Sequence, residues 1–184
     1  MSATQRLFFA VDLKDAVNAK SREKIIALKA SLSHEGRAIP DDNLHLTLAF
    51  LGNVSAEQYR QCCDAADAIR ARSFQLQTTQ TGYFNKPEIR WLGIAPSSSL
   101  LTLARQVQTI RRDVLGLPDE HQYLPHISLL RKALPSAQEQ MLSVQLHVSR
   151  FGLYAQSLEK KVLVCAIPAL IIGHCRADRF PNTL

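Results

Sequence analysis

Two short stretches of the chain set an imidazole two residues from a hydroxyl: His45-Leu46-Thr47-Leu48 and His126-Ile127-Ser128-Leu129. On a β-strand, residues i and i+2 leave the same face, so each stretch offers both groups side by side while its aliphatic residues turn to the opposite face. Two imidazoles with ordinary pKa values of about 6.5 can serve at neutral pH as one neutral base and one charged acid. Hydroxyls beside them can donate to the non-bridging oxygens of a phosphoester. Base, acid and oxygen donors are what the opening of a cyclic phosphodiester needs, and no metal is among them. The spacing alone is weak evidence, because His147-Val148-Ser149 makes a third such triplet.

What distinguishes the first two triplets is their place in a repeated pattern of elements. Residues 6–12, RLFFAVD, are β-branched and aromatic, and 14–34 follow with Val17, Ser21, Ile25, Leu28 and Leu32 at helical spacing. A strand over 44–52 stops at Gly52; Ser55 and Gln58 make a capping box for a helix reaching about residue 72, and 74–84 is β-rich. The order then restarts. A strand over 89–95 leads to a helix capped by Ser97, with Leu100, Leu103, Val107, Ile110 and Val114 on its apolar side. A strand over 126–130, a second capping box at Ser136 and Glu139, and a strand over 146–155 complete it. The expected fold is α+β and bilobal: two β-α-β-α-β units related by a pseudo-two-fold, with antiparallel sheets flanking a central cleft. One domain covers 1–184, lobe one approximately 6–84 and lobe two approximately 89–168, with terminal strands free to exchange between lobes. The third element of each unit carries His45 or His126. His147 lies one strand later with no counterpart and is read as structural.

Composition is that of an ordinary soluble globular domain, 46% hydrophobic and 21% charged, and 184 residues suffice for one sizeable core. Twenty-two basic against sixteen acidic residues give a formal charge of +6, a bias toward anionic ligands such as phosphate esters or nucleic acid. The opening residues suit neither a signal peptide nor a spanning helix, so a cytoplasmic protein with no membrane association is expected. Cys62, Cys63, Cys165 and Cys175 form no C-x-x-C pair and are read as reduced, mostly buried thiols.

The two motifs, the opening RLFFAVD and residues 37–52 together resemble the two-histidine phosphoesterase superfamily, specifically the bacterial RNA 2′,3′-cyclic phosphodiesterases also called 2′-5′ RNA ligases. The resemblance spans about residues 5–158 and is tightest over Asn43-Leu44-His45-Leu46-Thr47-Leu48-Ala49-Phe50-Leu51-Gly52 and Pro125-His126-Ile127-Ser128-Leu129-Leu130-Arg131. It implies metal-independent and cofactor-free opening of RNA 2′,3′-cyclic phosphate ends to a 2′-phosphate, with reversible 2′-5′ joining through the same transition state. By the same resemblance His45 is the proton donor to the 3′ oxygen, His126 is the proton acceptor that activates water, and Thr47 and Ser128 hold the phosphate. Partners are then RNA ends or nucleotides bearing the cyclic phosphate; separately, a fold of this size with a closed core is expected to be a monomer. Two other readings are a non-catalytic binding module of the same fold and an enzyme acting on a different cyclic phosphodiester.

Ser128 stands where threonine is commoner, which keeps the hydroxyl and drops a methyl. Residues 162–184 depart from the family's usual ending; the apolar run 162–172, broken by Pro168, reads as a core strand and an irregular tail. A zinc site from Cys165, His174 and Cys175 is disfavoured. Arg131 suits a phosphate but faces away from His126 on strict alternation, so its use requires the strand to end or twist there. Phe8, opposite in facing to Phe9, is the aromatic best placed to stack on a base, while Phe9 and Trp91 read as core. Arg111 and Arg112 are read as a solvated helix face. Cleft loops at 84–88 and 117–123 would set substrate choice.

Overall fold

The β-branched and aromatic runs form strands, and every strand pairing among the described residues is antiparallel. The computed structural model describes residues 4–118, 122–135, 138–156 and 161–168. Its elements are β1 (Thr4–Asp12), α1 (Ala19–Ser31), β2 (Arg37–Ala38), β3 (His45–Ser55), α2 (Ala56–Asp67), β4 (Phe74–Asn85), β5 (Glu88–Ile94), α3 (Ser98–Leu115), β6 (His126–Arg131), β7 (Gln145–Val148), β8 (Arg150–Gln156) and β9 (Lys161–Pro168). One sheet runs β7-β4-β5-β6-β3-β1-β8-β9, with β2 added on β6. The two motif strands, β3 and β6, are therefore neighbours at its middle. β4 of the first unit pairs with β5 and β7 of the second, and β8 of the second pairs with β1 of the first.

One face of the sheet carries the main core. β1 contributes Leu7, Phe9 and Val11, β3 contributes Leu46, Leu48, Leu51 and Val54, and β6 contributes Ile127 and Leu129, all buried. α2 and α3 pack on each other and on β3, and the apolar positions Leu100, Leu103, Val107 and Ile110 of α3 are buried as their spacing predicts. Exposing a large aliphatic side chain costs about 1.5–3 kcal/mol. A one-residue slip of either motif strand would expose its whole buried set, so the register is firmly fixed.

The expected caps form where they can be followed. Ser55 Oγ accepts from the Gln58 amide at 3.2 Å while Gln58 Oε1 accepts from the Ser55 amide at 3.0 Å, and Ser97 Oγ accepts from the Leu100 amide at 3.3 Å. α2 ends at Asp67, short of residue 72, and β3 continues past Gly52 to Ser55, because at Gly52 the ladder with β1 shifts rather than stops. Val17, expected on the buried side of the first helix, is 65% exposed. It lies in a 3-10 turn ahead of α1 whose phase turns Asn18 inward instead. The Asn18 amide donates to the His147 carbonyl at 2.9 Å and its oxygen accepts from the His147 amide at 2.7 Å.

The second unit departs from the expected duplication. Ser136 lies outside the described residues, and 138–144 run without a helix between β6 and β7. The backbone of that segment is taken by β4: Thr81 donates to the Gln140 carbonyl at 2.9 Å, Leu142 to the Thr79 carbonyl at 2.9 Å, and Thr78 to the Val144 carbonyl at 3.0 Å. Tertiary pairing thus overrides the cap signature at Glu139. Cys62 and Cys63 are buried free thiols on α2. β9 reaches Pro168, and the rest of the apolar run, with His174 and Cys175, lies outside the described residues.

Candidate active site

β3 and β6 begin at their histidines and share one burial sequence over six residues: half-buried, buried, half-buried, buried, buried, exposed. Strict alternation would give the fourth and fifth positions opposite faces. Each strand instead carries a bulge at the same place. Opposite β1, Ala49 pairs with Phe9 and Thr47 with Ala10, which leaves Leu48 over; opposite β5, Leu130 pairs with Arg90 and Ser128 with Trp91, which leaves Leu129 over. The extra residue lets two consecutive side chains enter the core and then returns the next one to the other face. Phe50 and Arg131 are the residues so returned, both exposed.

The face opposite the main core therefore holds both motifs. Leu46 pairs with Ile127 across the β3–β6 ladder. Continuing that register one residue each way sets His45 opposite Ser128 and Thr47 opposite His126. Directly opposed side chains start about 4.5–5.5 Å apart and diagonal ones about 7–8 Å, so the two imidazoles lie on a diagonal with a hydroxyl beside each. A phosphorus atom between them would have a proton-exchanging group on either side.

Each ring is fixed in the same way. His45 Nδ1–H donates to the Asn43 carbonyl at 2.5 Å and His126 Nδ1–H to the Leu124 carbonyl at 2.8 Å, in both cases two residues upstream. That tautomer makes Nε2 the nitrogen that gains or loses the second proton. An aromatic ring packs on each imidazole with centroids 5.0 Å apart, Phe8 on His45 and Phe84 edge-on to His126; Trp91 is 6.1 Å from His126. Burial holds the His126 pKa below its ordinary value, against an opposing contribution from the Leu124 carbonyl.

The surroundings of the two histidines differ. Across the β1–β3 ladder Asp12 stands opposite His45, whereas across the β5–β6 ladder Gly93 stands opposite His126. Tyr154 on β8 donates its hydroxyl to Asp12 Oδ2 at 2.9 Å, and burial first, then the Asp12 carboxylate, keep that hydroxyl protonated well above the ordinary tyrosine range. Tyr123 donates to the Thr47 carbonyl at 3.0 Å and so ties the segment before β6 to the first motif. Asp12, Tyr123, Tyr154 and the contact of Phe84 with His126 were not singled out from sequence. Asp12 could have been: in RLFFAVD it shares a face with Phe8 and Ala10.

Phe8, expected to offer a stacking surface, is only 4% exposed. Its ring is covered by His45, Phe50 and Tyr154, the last stacked at 5.7 Å, so it supports His45 and leaves no face for a base. Phe9 is core, as expected. Trp91 is half-buried on the histidine face, not in the core. Arg131 reaches the histidine face through the bulge. His147 is on β7, with β4 and β5 between it and β6, and belongs to no such arrangement. Arg111 donates to the Phe50 carbonyl at 2.8 Å and to the Pro118 carbonyl, which makes it a strut between α3 and β3. The 84–88 loop is a tight turn whose ends, Asn85 and Glu88, pair directly. No group of three or more His, Cys, Asp or Glu positioned for a metal occurs among the described residues.

Comparison with known proteins agrees with this geometry. Residues 16–91 match the family model described as LigT like Phosphoesterase. The RNA 2′,3′-cyclic phosphodiesterase of Escherichia coli strain K12 is 39% identical over 136 residues, covering 72% of this chain and 75% of that one. The crystal structure of E. coli LigT complexed with 3′-AMP superposes with a TM-score of 0.82 at 32% identity, over 90% of this chain and 98% of that one. The same protein complexed with ATP gives 0.74 at 33% identity, over 90% and 95%. With motif, fold and relatives in agreement along most of its length, the chain belongs to the LigT-like phosphoesterases of the two-histidine superfamily.

Proposed function

We propose that this protein opens 2′,3′-cyclic phosphate ends of RNA to 2′-phosphates without a metal, with His45 as proton donor and His126 as proton acceptor. The observation that carries the reading is the pair of equivalent strands, each placing an imidazole and a hydroxyl on one face and tying Nδ1 to a carbonyl two residues back. His126 Nε2 takes a proton from water as the water oxygen bonds to phosphorus. The bond from phosphorus to O3′ breaks, and His45 Nε2 gives its proton to that oxygen. Thr47 and Ser128 donate to the non-bridging oxygens, where charge grows in the transition state. Arg131 adds a guanidinium on the same face. A ribose 5′ hydroxyl in place of water gives a 2′-5′ linkage by the same steps.

The asymmetry around the rings supports this division of roles. Asp12 sets a carboxylate at the strand position opposite His45, where the acid must start out charged. Gly93 brings no charge to His126, and burial favours its neutral form, which suits a base. The relatives are named RNA 2′,3′-cyclic phosphodiesterase, and E. coli LigT has been crystallised with 3′-AMP and with ATP. Both facts support a substrate built from nucleotides. The reading carries with it a monomer working in the cytoplasm; no helix among the described residues is long and apolar enough to cross a membrane.

The test is an oligonucleotide ending in a 2′,3′-cyclic phosphate, incubated in excess EDTA with the parent protein and with His45→Ala, His126→Ala and His147→Ala. The parent and His147→Ala should open the ring to a 2′-phosphate, and the other two variants should lose roughly 10²- to 10⁴-fold in rate. Loss of activity in EDTA would reject the metal-free mechanism. A parent protein that binds the oligonucleotide without turnover is a binding module instead.

A further inference from the structure

We infer that the cavity between α3 and Tyr123, on the helix side of the sheet, is a second ligand site that takes the phosphate of a nucleotide on Arg105 and Arg112. α3 packs on β3 through Leu100, Leu103, Val107 and Ile110, and the histidines leave the opposite face of that sheet. Neither histidine, neither motif hydroxyl nor Arg131 lines the cavity. Its volume is about 470 Å³, within the range of about 300–1,000 Å³ usual for small-molecule sites.

The turn after α3 creates the space. The helix ends at Gly116, whose φ of 65° takes the chain off in a left-handed turn. The Pro118 carbonyl accepts from Arg111, and the Tyr123 hydroxyl donates to the Thr47 carbonyl at 3.0 Å. Gln122 is held at φ 34°, a setting that few residues with a side chain adopt, so its surroundings fix the chain at Tyr123. Along α3 the lining follows one stripe: Leu101, Arg105, Gln108 and Arg112 succeed one another at steps of four, three and four. Leu101, Ala104 and the Tyr123 ring supply an apolar floor. Arg105 and Arg112 are two turns apart, about 10.5 Å at 1.5 Å per residue. Between them Gln108, only 9% exposed, brings an amide, a group that can pair with the edge of a base.

The charge is one-sided, since no acidic residue is among those lining the cavity. Arg105 donates from Nε to the Leu101 carbonyl at 3.2 Å and meets no carboxylate among the described residues. Arg112 pairs with Asp113 at 3.0 Å, but the two side chains are 52% and 60% exposed, and such surface pairs are worth about 0–1 kcal/mol. Phosphate matches a guanidinium in two-pronged fashion and can displace so weak a pair. An anion that carries an apolar, ring-bearing body suits both the guanidiniums and the floor, and a nucleotide is such a molecule.

Equilibrium dialysis with 5′-AMP counts the sites without asking for turnover, so its outcome does not depend on the hydrolase reading. The parent should bind one equivalent more than the Arg105→Gln, Arg112→Gln double variant, and the His45→Ala, His126→Ala double variant should keep that equivalent. Thr109→Glu sets a carboxylate four residues from Arg105 and three from Arg112, and should weaken the site by about tenfold or more. Adenosine, which lacks the phosphate, should bind there at least about tenfold more weakly than 5′-AMP. Melting temperatures matching the parent's show that the variants fold. A trinucleotide ending in plain hydroxyls that displaces the arginine-dependent 5′-AMP gives the source of the phosphate as an RNA chain; one that leaves it bound gives a free nucleotide. Equal numbers of 5′-AMP bound by the parent and the double arginine variant overturn the inference, as does an equivalent that is lost with the histidines and kept without the arginines.

Discussion

Gly82→Ala is a small change with a large expected effect, because the only tryptophan of the chain lies on that glycine. A Cβ at position 82 would fall 2.2 Å from Cη2 and from Cζ2 of Trp91 and 2.7 Å from Cε2. Carbon atoms pack at about 3.5–4.0 Å, so the indole must retreat by roughly 1.5 Å or β4 must part from β5. The retreat is obstructed: Phe84 lies 5.3 Å and His126 6.1 Å from the ring, and a Cβ position at Gly93 is only 3.2 Å from Cζ3. Overpacking of this kind costs about 1–3 kcal/mol. For a chain of this length the melting temperature should fall by about 2–12 °C. Thermal unfolding followed by Trp91 emission reads the stability and the altered ring environment together, and kcat/KM on a cyclic-phosphate substrate should fall as the packing around His126 shifts. Gly82→Ala combined with Trp91→Leu should be less destabilised than the two single changes summed, since the methyl then has room. If Gly82→Ala keeps the parent's melting temperature, emission and kcat/KM, the ring does not rest on Gly82 and the reasoning is wrong.

Other expectations concern protons, hydroxyls and caps. Because burial lowers the His126 pKa, Trp91 emission quenched by the imidazolium should titrate with a midpoint below 6.5, as should the rising limb of kcat/KM; a midpoint at or above 6.5 contradicts the burial argument. The unfolded chain binds this proton more readily than the folded one, so the His126 contribution to stability is present above about pH 6.5 and is lost as pH falls through the lowered folded value, which denaturant titration against pH would show. Ser128→Ala should lose about 10²- to 10³-fold in kcat while Ser128→Thr stays close to the parent, and equal activity of all three would remove the hydroxyl from the phosphate. Ser55→Ala should cost about 1 kcal/mol of unfolding free energy through the lost cap, leaving kcat/KM alone; a chemical denaturation curve superposing on the parent's would refute it.

How much was legible from sequence depended on whether local pattern or tertiary pairing decided each residue. The motif strands were legible because alternation of buried and half-buried positions holds through Thr47 and Ser128, and the burial of Leu46 and Ile127 leaves one way for the histidines to face. Beyond that point the pattern reads leucine followed by another apolar residue in both strands, which alternation cannot resolve. The bulges at Leu48 and Leu129 were therefore invisible, and with them the face of Arg131. Phe8 was misjudged for a related reason. Facing away from the main core normally means facing water, but β8 brings Tyr154 over that side and encloses Phe8 and Ala10 in a cluster of their own. The caps at Ser55 and Ser97 were readable because they act within four residues. The box at Glu139 was not, because β4 claims the backbone of 140–144.

The position of β1 has a consequence for synthesis. This strand can pair with β3 once the first 55 residues exist, but its other edge waits for β8, where Leu7, Phe8, Phe9 and Ala10 meet Ala155, Tyr154, Leu153 and Gly152. Until the ribosome has delivered those residues, four apolar side chains sit on a strand whose outer amides and carbonyls have no partner, the kind of edge that recruits other chains. A polypeptide terminated between β6 and β8 would keep both histidine motifs intact and still be expected to aggregate, so solubility, not chemistry, sets how early the message can stop.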